Sequence, residues 1–212
     1  MTQTTDTQNV QPVRRGPGRP RHPDTEARAY RAVLELFGQK GWSGVSLDAV
    51  ATRAGIGKSS IYLRWHDKRE LLLDAIRDLE AHHVTPQTEG LNIRDYLAAH
   101  ARARAELLLG EHGAAIANIV SAAVANPDAF GEIRDESVSR GVLALEGRIE
   151  QAVSDGELPP STSPGHLLDA IEGAIFFHVL MTEAGTSKEE LRPGIGEWVD
   201  ELVDMVLRGV NR

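Results

Sequence analysis

The sequence predicts an all-α protein: an N-terminal three-helix helix-turn-helix domain, then a C-terminal helical domain, about nine helices altogether. Three observations predict it. Apolar residues recur at helical spacing along most of the chain, and no stretch shows the apolar–polar alternation of a half-buried strand. Cap residues and Gly or Pro punctuate those stretches and leave short connections between them. Between Ser46 and Leu71, two short helical patterns flank a glycine turn, the layout in which a second helix enters the DNA major groove.

Met1 to Val13 is polar, which predicts a disordered start. Residues 14–21 read RRGPGRPR. Pro and Gly keep this segment extended, and Arg side chains, Arg19 and Arg21 among them, line it. Such an arm fits the narrow minor groove of A·T-rich DNA and is similar to an AT-hook core; a solvated basic tail is the alternative. The first helix is expected from Asp24, an N-cap after Pro23, to Lys40. Ala29, Val33, Leu36 and Phe37 form its buried stripe, Gly41 stops it, and Trp42 at the corner is expected in the core. Ser46 caps the second helix, whose inner face carries Leu47, Val50 and Ala51; Ala54-Gly55 ends it, since Gly tolerates the left-handed conformation. Ile56 plugs the turn. Gly57 to Ser60 opens a short helix over Ile61 to Trp65, whose outer face offers Lys58, Ser59, Ser60, Tyr62 and Arg64. Asp67 caps a helix from Lys68 to about Val84, with Glu70 as the return half of a capping box.

Thr85 to Gly90 reads as a loop. Asn92 and Asp95 open a helix to about Leu109. Residues 112–125 are rich in small side chains, which permits close packing. Asn126-Pro127 starts a helix to Ser154 that Asp155-Gly156 ends. Ser163-Pro164 opens the next, to about Glu183, and the last runs from about Gly194 to Arg208. The expected division is a disordered basic arm over 1–22, a DNA-binding domain over 23–69, and a regulatory and dimerisation domain over 70–212.

Charge supports this division. The net charge of −8 is split: residues 1–69 carry +6 and residues 70–212 carry −14. A basic front on an acidic body points to a polyanionic partner at the front. The absence of Cys excludes disulfides and thiolate metal sites and fits a reducing cytoplasm. No apolar run reaches the ~20 residues of a membrane span, so no membrane partner is expected. GIGKSS lacks the earlier Gly of a phosphate-binding loop, where Thr52 stands, and follows a helix instead of a strand. His82 and His83 are adjacent and point to different faces, a poor metal pair. No catalytic set stands out, so neither an enzyme nor a cofactor or metal is expected.

Ala54, Gly55, Ile56, Lys58, Tyr62, Trp65, Lys68 and Leu71 fall in order on the signature of TetR-type bacterial transcriptional regulators, which the run AGIGKSSIYLRWHDKREL resembles. Upstream, Ala32, Leu36, Phe37, Gly41, Trp42 and Val45 are similar to that family's first helix and turn. Gly57, Ser59, Leu63 and Arg64 depart from the residues frequent there. The resemblance makes Tyr62 and Lys68 backbone clamps, which set register rather than sequence. Side-chain type alone lets Lys58 and Arg64 reach phosphate or guanine, lets Ser59 and Ser60 bond phosphate or a base edge, and lets Ser46 present its amide to phosphate.

The resemblance also implies a homodimer paired through the last two helices, with Phe176, Phe177, Trp198, Leu202 and Met205 as interface candidates, Phe177 and His178 being equally able to face inward. It implies an effector pocket enclosed by the middle helices, 92 to 154. Tyr96, His100, Asn118, Phe130 and Phe177 are candidate lining residues, and few aromatics among many Ala and Leu fit a small hydrophobic molecule. The expected function is a ligand-responsive repressor released from a double-stranded operator; a constitutive or activating DNA-binding protein without an inducer is the alternative.

Overall fold

The structure, a computed structural model, describes residues 24–82, 89–181 and 187–210. Among these, every regular element is helical: α1 Asp24–Lys40, α2 Leu47–Ala54, α3 Lys58–Tyr62, α4 Lys68–His82, α5 Ile93–Leu109, α6 Gly113–Ala125, α7 Pro127–Ser154, α8 Pro164–Leu180, α9 Lys188–Leu191 and α10 Ile195–Val210. The count exceeds the expected nine by α9, which spans only four residues and is held by a capping box between Ser187 and Glu190. An element that short leaves no periodicity to read. The arm with Arg19 and Arg21, and the expected helix ends at Val84 and Glu183, lie outside the described residues.

Two apolar clusters hold the chain together. The first joins Ala29, Val33 and Phe37 of α1 to Val50 and Ala51 of α2, Ile61 of α3, and Leu71, Leu72, Ala75 and Ile76 of α4. It continues into Ala115 and Ile119 of α6 and Phe130 and Ile133 of α7, so head packing extends beyond residue 69. The second joins α5, the C-terminal half of α7, α8 and α10. Leu79 of α4 touches both. Each large side chain so buried contributes about 1.5–3 kcal/mol before chain entropy is counted.

Small residues set the α1–α6 and α5–α6 contacts. Gly38 of α1 faces Ala114 and Ala115. A Cβ at Gly113 would stand 1.8 Å from the Leu108 carbonyl oxygen, so only glycine fits that corner. The corner bends α5 against α6 by 94°, and among the described residues no single helix is long and apolar enough to cross a membrane.

The five expected lining residues take separate places in the structure. The Asn118 side-chain amide donates to the carbonyls of Phe37 (2.8 Å) and Gly38 (3.2 Å), tying α6 to the last turn of α1. Phe130 stacks on Phe37 at 6.0 Å and meets Trp42 edge-on at 4.9 Å, deep in the first cluster. Phe177 points outward, 68% exposed. Helical spacing placed all three on buried or outward stripes equally well, and only the three-dimensional packing separates them. His100 lies inside the body, its Nε2 2.6 Å from Glu172, whose other oxygen accepts from Arg104 Nε at 2.9 Å. Burial pushes the Glu172 carboxyl up, but the His100 hydrogen bond and the Arg104 charge outweigh it and hold it below its ordinary value. Tyr96 is half-buried beside Arg148 in an open groove with Leu91 and Gln151. The five side chains therefore do not converge on one site.

The expected interface set also divides. Leu202 is 6% exposed and belongs to the body core of its own chain, so it is not available to a partner. Phe176 and Trp198 are half-buried against that core. The His178 ring stacks on Trp198 at 3.9 Å and joins α8 to α10. Met205 is exposed, and Phe177 and Met181 extend the same apolar character along α8. Ion pairs from Arg94 to Asp204 (2.9 Å) and from Arg102 to Asp200 lock α5 against α10.

Candidate nucleic-acid interface

The head is assembled from local rules and then fastened by long side chains. Ser46 Oγ accepts from the Ala49 amide at 3.1 Å and starts α2. Loss of such a cap costs about 1 kcal/mol. Gly55 ends α2 in the left-handed region, φ 62°, where a side chain would be strained. Arg28 of α1 donates to the carbonyls of Ala54 and Gly55, and Arg53 of α2 pairs with Glu35 of α1. The second helix is thereby fixed on the first.

The third helix begins at Lys58 and ends at Tyr62, earlier than the expected Ile61–Trp65. The reason is Trp65. Its ring is buried against Tyr30, and its Nε1 donates to Asp74 of α4 at 3.0 Å, which requires the chain to turn inward after Leu63. Ile61 anchors the inner face of α3 at zero exposure. Asp67 accepts from the amides of Arg69 (2.8 Å) and Glu70 (2.9 Å) and starts α4. Glu70 closes the return on the His66 amide at 2.6 Å, one residue before the cap.

The expected DNA-facing residues take different positions. Lys58, Ser59 and Tyr62 are exposed together on α3. Ser60 is half-buried, and Arg64 lies back over the end of α3, donating to the Ser60 carbonyl at 3.0 Å with Glu26 at 3.6 Å. Lys68 Nζ donates to the carbonyls of Trp42 (2.9 Å) and Val45 (3.0 Å) and sits 4.0 Å above the Trp42 ring. A cation in a first helical turn opposes the helix dipole; two carbonyls and an indole face offset that opposition here. Burial pushes the Lys68 ammonium down from its ordinary value.

Two residues on this surface were not foreseen. Leu63 is 84% exposed just past α3. Asp48, in the first turn of α2, lies 2.6 Å from Lys58 Nζ and accepts from the Tyr62 hydroxyl at 3.3 Å. From sequence, an acidic residue in a first turn reads as a partner of the helix dipole; only the packing of α2 against α3 brings it to Lys58 and Tyr62.

Two family models cover most of the chain. Residues 30–75 match the N-terminal module described as bacterial regulatory proteins, tetR family. Residues 88–206 match the tetracyclin repressor-like C-terminal domain. The uncharacterized HTH-type transcriptional regulator YdeS of Bacillus subtilis is 27% identical over 165 residues, 78% of this chain and 83% of that protein. The uncharacterized HTH-type regulator Rv1556 of Mycobacterium tuberculosis is 27% identical over 185 residues, 86% of this chain and 85% of its own. The crystal structure of the regulator FadR from Bacillus subtilis, in complex with stearoyl-CoA, superposes with a TM-score of 0.70 at 18% identity, covering 87% of this chain and 98% of that one. A helix-turn-helix head with a polar third helix, an all-helical body, and matches to both halves lead to one conclusion: this chain belongs to the TetR family of bacterial transcriptional regulators, DNA-binding transcription factors and not enzymes.

Proposed function

We propose that the protein is a homodimeric repressor that grips its operator through α2 and α3 and releases it when a small hydrophobic effector enters the body. The proposed division of labour is a basic arm over 1–22, DNA binding over 23–69, and regulation and dimerisation over 70–212, all acting in the cytoplasm. One observation carries the reading: α3 offers Lys58, Ser59 and Tyr62 to solvent above a fully buried Ile61. Phosphate and base-edge donors thus share a rigid support, as groove recognition requires. Ser46 adds the N-terminal end of α2. Lys68 fixes the corner before α2 and has its third N–H left for phosphate.

The exposed side chains of Phe177, Met181 and Met205 support pairing across α8 and α10, with the half-buried Phe176 and Trp198 on the same two helices. A symmetric pair sets the spacing of two heads on two half-sites. The effector class is supported by the acyl-CoA bound to the structurally similar FadR and by the aliphatic body. Helix α4 is the natural transmitter. Its Leu79 touches both apolar clusters. Its Arg69 donates to the Ala129 carbonyl at 2.9 Å and to Glu132 at 2.7 Å, and Arg77 reaches Glu136 at 3.4 Å, so a shift of α7 pulls on the head. The ligand changes the equilibrium only by its difference in affinity between the two arrangements.

The test is an anisotropy titration of a labelled duplex taken from upstream of the protein's own gene. Tyr62→Ala and Lys58→Ala are each expected to weaken binding at least about tenfold while the dimer stays folded. Unchanged affinity in both variants refutes the assignment. A constitutive DNA-binding protein without an effector is the second reading, favoured by the scatter of the five candidate lining residues. Acyl-CoA added to the preformed complex decides between them: release supports the repressor, and no release across a series of chain lengths supports the second reading.

A further inference from the structure

The carboxylate of Asp48 occupies an unusual place for a phosphate-binding surface. It stands on α2, beside the outer face of α3, with Lys58 Nζ at 2.6 Å and the Tyr62 hydroxyl at 3.3 Å. Lys58 and Tyr62 are exposed, and about half of the Asp48 side chain is. No buried charge is being neutralised, and an exposed pair of this kind contributes little to folding. Asp48 also favours the first turn of α2, but any acidic residue elsewhere in that turn would serve the dipole equally. What the position does uniquely is hold two of the exposed donors of α3, Lys58 and Tyr62, on one anion.

We infer that Asp48 is a specificity-determining residue: it keeps Lys58 and Tyr62 from the phosphates of non-cognate DNA and yields them only where a base takes over its carboxylate. The inference rests on the reading that the outer face of α3 meets DNA. A phosphate approaching Lys58 must share its ammonium with a carboxylate already bonded to it and then lie beside that negative charge. Both effects weaken backbone binding on any sequence. In the major groove, a carboxylate accepts from the amino group of cytosine. At such a base Asp48 gains a replacement donor, and Lys58 and Tyr62 are released to the neighbouring backbone. Sequence-independent grip is thereby exchanged for sequence-dependent grip, a repulsive element acting against the wrong partner.

The test compares wild type with Asp48→Asn, which keeps the size and loses the charge, and with Asp48→Ala. Sites are first selected by the wild-type dimer from a random-sequence duplex pool. Affinity is then measured for the selected duplex and for an unselected mixed-sequence duplex over a series of salt concentrations. Both variants are expected to bind the unselected duplex about three- to tenfold more tightly, with a log–log salt slope steeper by about one because Lys58 now releases a counterion. The ratio of selected to unselected affinity is expected to fall at least about tenfold, the discrimination of one base contact. An unchanged ratio and slope overturn the role of Asp48. If the wild type enriches no sequence at all, the reading of α3 as the DNA-facing helix fails instead, and the two failures are told apart. Thermal unfolding of the variants at the wild-type temperature confirms that exposed charge, and not folding, was altered.

Discussion

The head and the body present opposite kinds of surface. On the head, four of the polar groups expected to meet DNA already have partners: Lys58 and Tyr62 on Asp48, Arg64 on the Ser60 carbonyl, Lys68 on two carbonyls of the preceding corner. On the body, the outward face of α8 and α10 carries Phe177, Met181 and Met205, each more than half exposed. On the proposed reading, the first surface works by exchanging one charged partner for another and is sensitive to salt. The second then works by removing apolar area from water, which salt scarcely weakens. The proposal thus separates choosing DNA from setting the distance between two readers.

The strongest way to break this contrast is to charge the body's exposed apolar side chains. The double variant Phe177→Asp with Met205→Asp is expected to abolish self-association at micromolar concentration, as seen by sedimentation velocity, and to lose operator binding with it. Both side chains are exposed in the single chain, so its thermal unfolding survives. A dimer that persists in this variant moves the interface elsewhere.

Next in size is the partly buried pair of Glu172 and Arg104 inside the body. Glu172→Ala leaves Arg104 without its carboxylate and is expected to cost about 3 kcal/mol in urea unfolding. A loss below 1 kcal/mol on that scale makes the pair a surface one in energetic terms.

Lys68→Met then sharpens the head side of the comparison. Removing the ammonium leaves the Trp42 and Val45 carbonyls with one donor fewer each and is expected to cost about 1–3 kcal/mol. DNA affinity falls along with stability, whereas Tyr62→Ala lowers affinity alone. A stable Lys68→Met that still loses DNA makes Lys68 a direct clamp and nothing more.

The smallest expected effect is a pH dependence. Burial holds His112 and His178 below the ordinary histidine value of 6.5. The folded chain therefore binds fewer protons than the unfolded one as pH drops through that value. Stability is retained above pH 6.5 and declines below it. His178→Phe, which keeps the stack on Trp198, is expected to flatten part of that decline in a thermal-unfolding series.

What could be read beforehand depended on range. Ser46, Gly55, Asp67, Asn92 and Ser163 were legible as helix boundaries because a cap is a contract among neighbours in sequence. The face of α3 was legible for the same reason, since Ile61 must be buried and its flanking residues must not. The end of α3 was not, because Trp65 turns inward to meet Tyr30 and Asp74, which lie on other helices. The places of Asn118 and Phe130 were not legible because their partners, the carbonyls of Phe37 and Gly38 and the rings of Phe37 and Trp42, are about eighty to ninety residues distant. Leu202 and Phe177 show the same limit on the body: both sit on apolar helices, and only the packing of α5 against α8 and α10 decides which faces in. Asp48 carried no signal at all, since its partners are set by the angle between two helices.

The central claim is that salt governs one of these surfaces and not the other. Sedimentation of the protein with a labelled duplex, followed from 50 to 200 mM salt, tests it directly. The expected result is two chains per duplex, an affinity that falls at least about a hundredfold over that range, and a free dimer whose mass does not change. One chain per duplex, or a complex indifferent to salt, contradicts it.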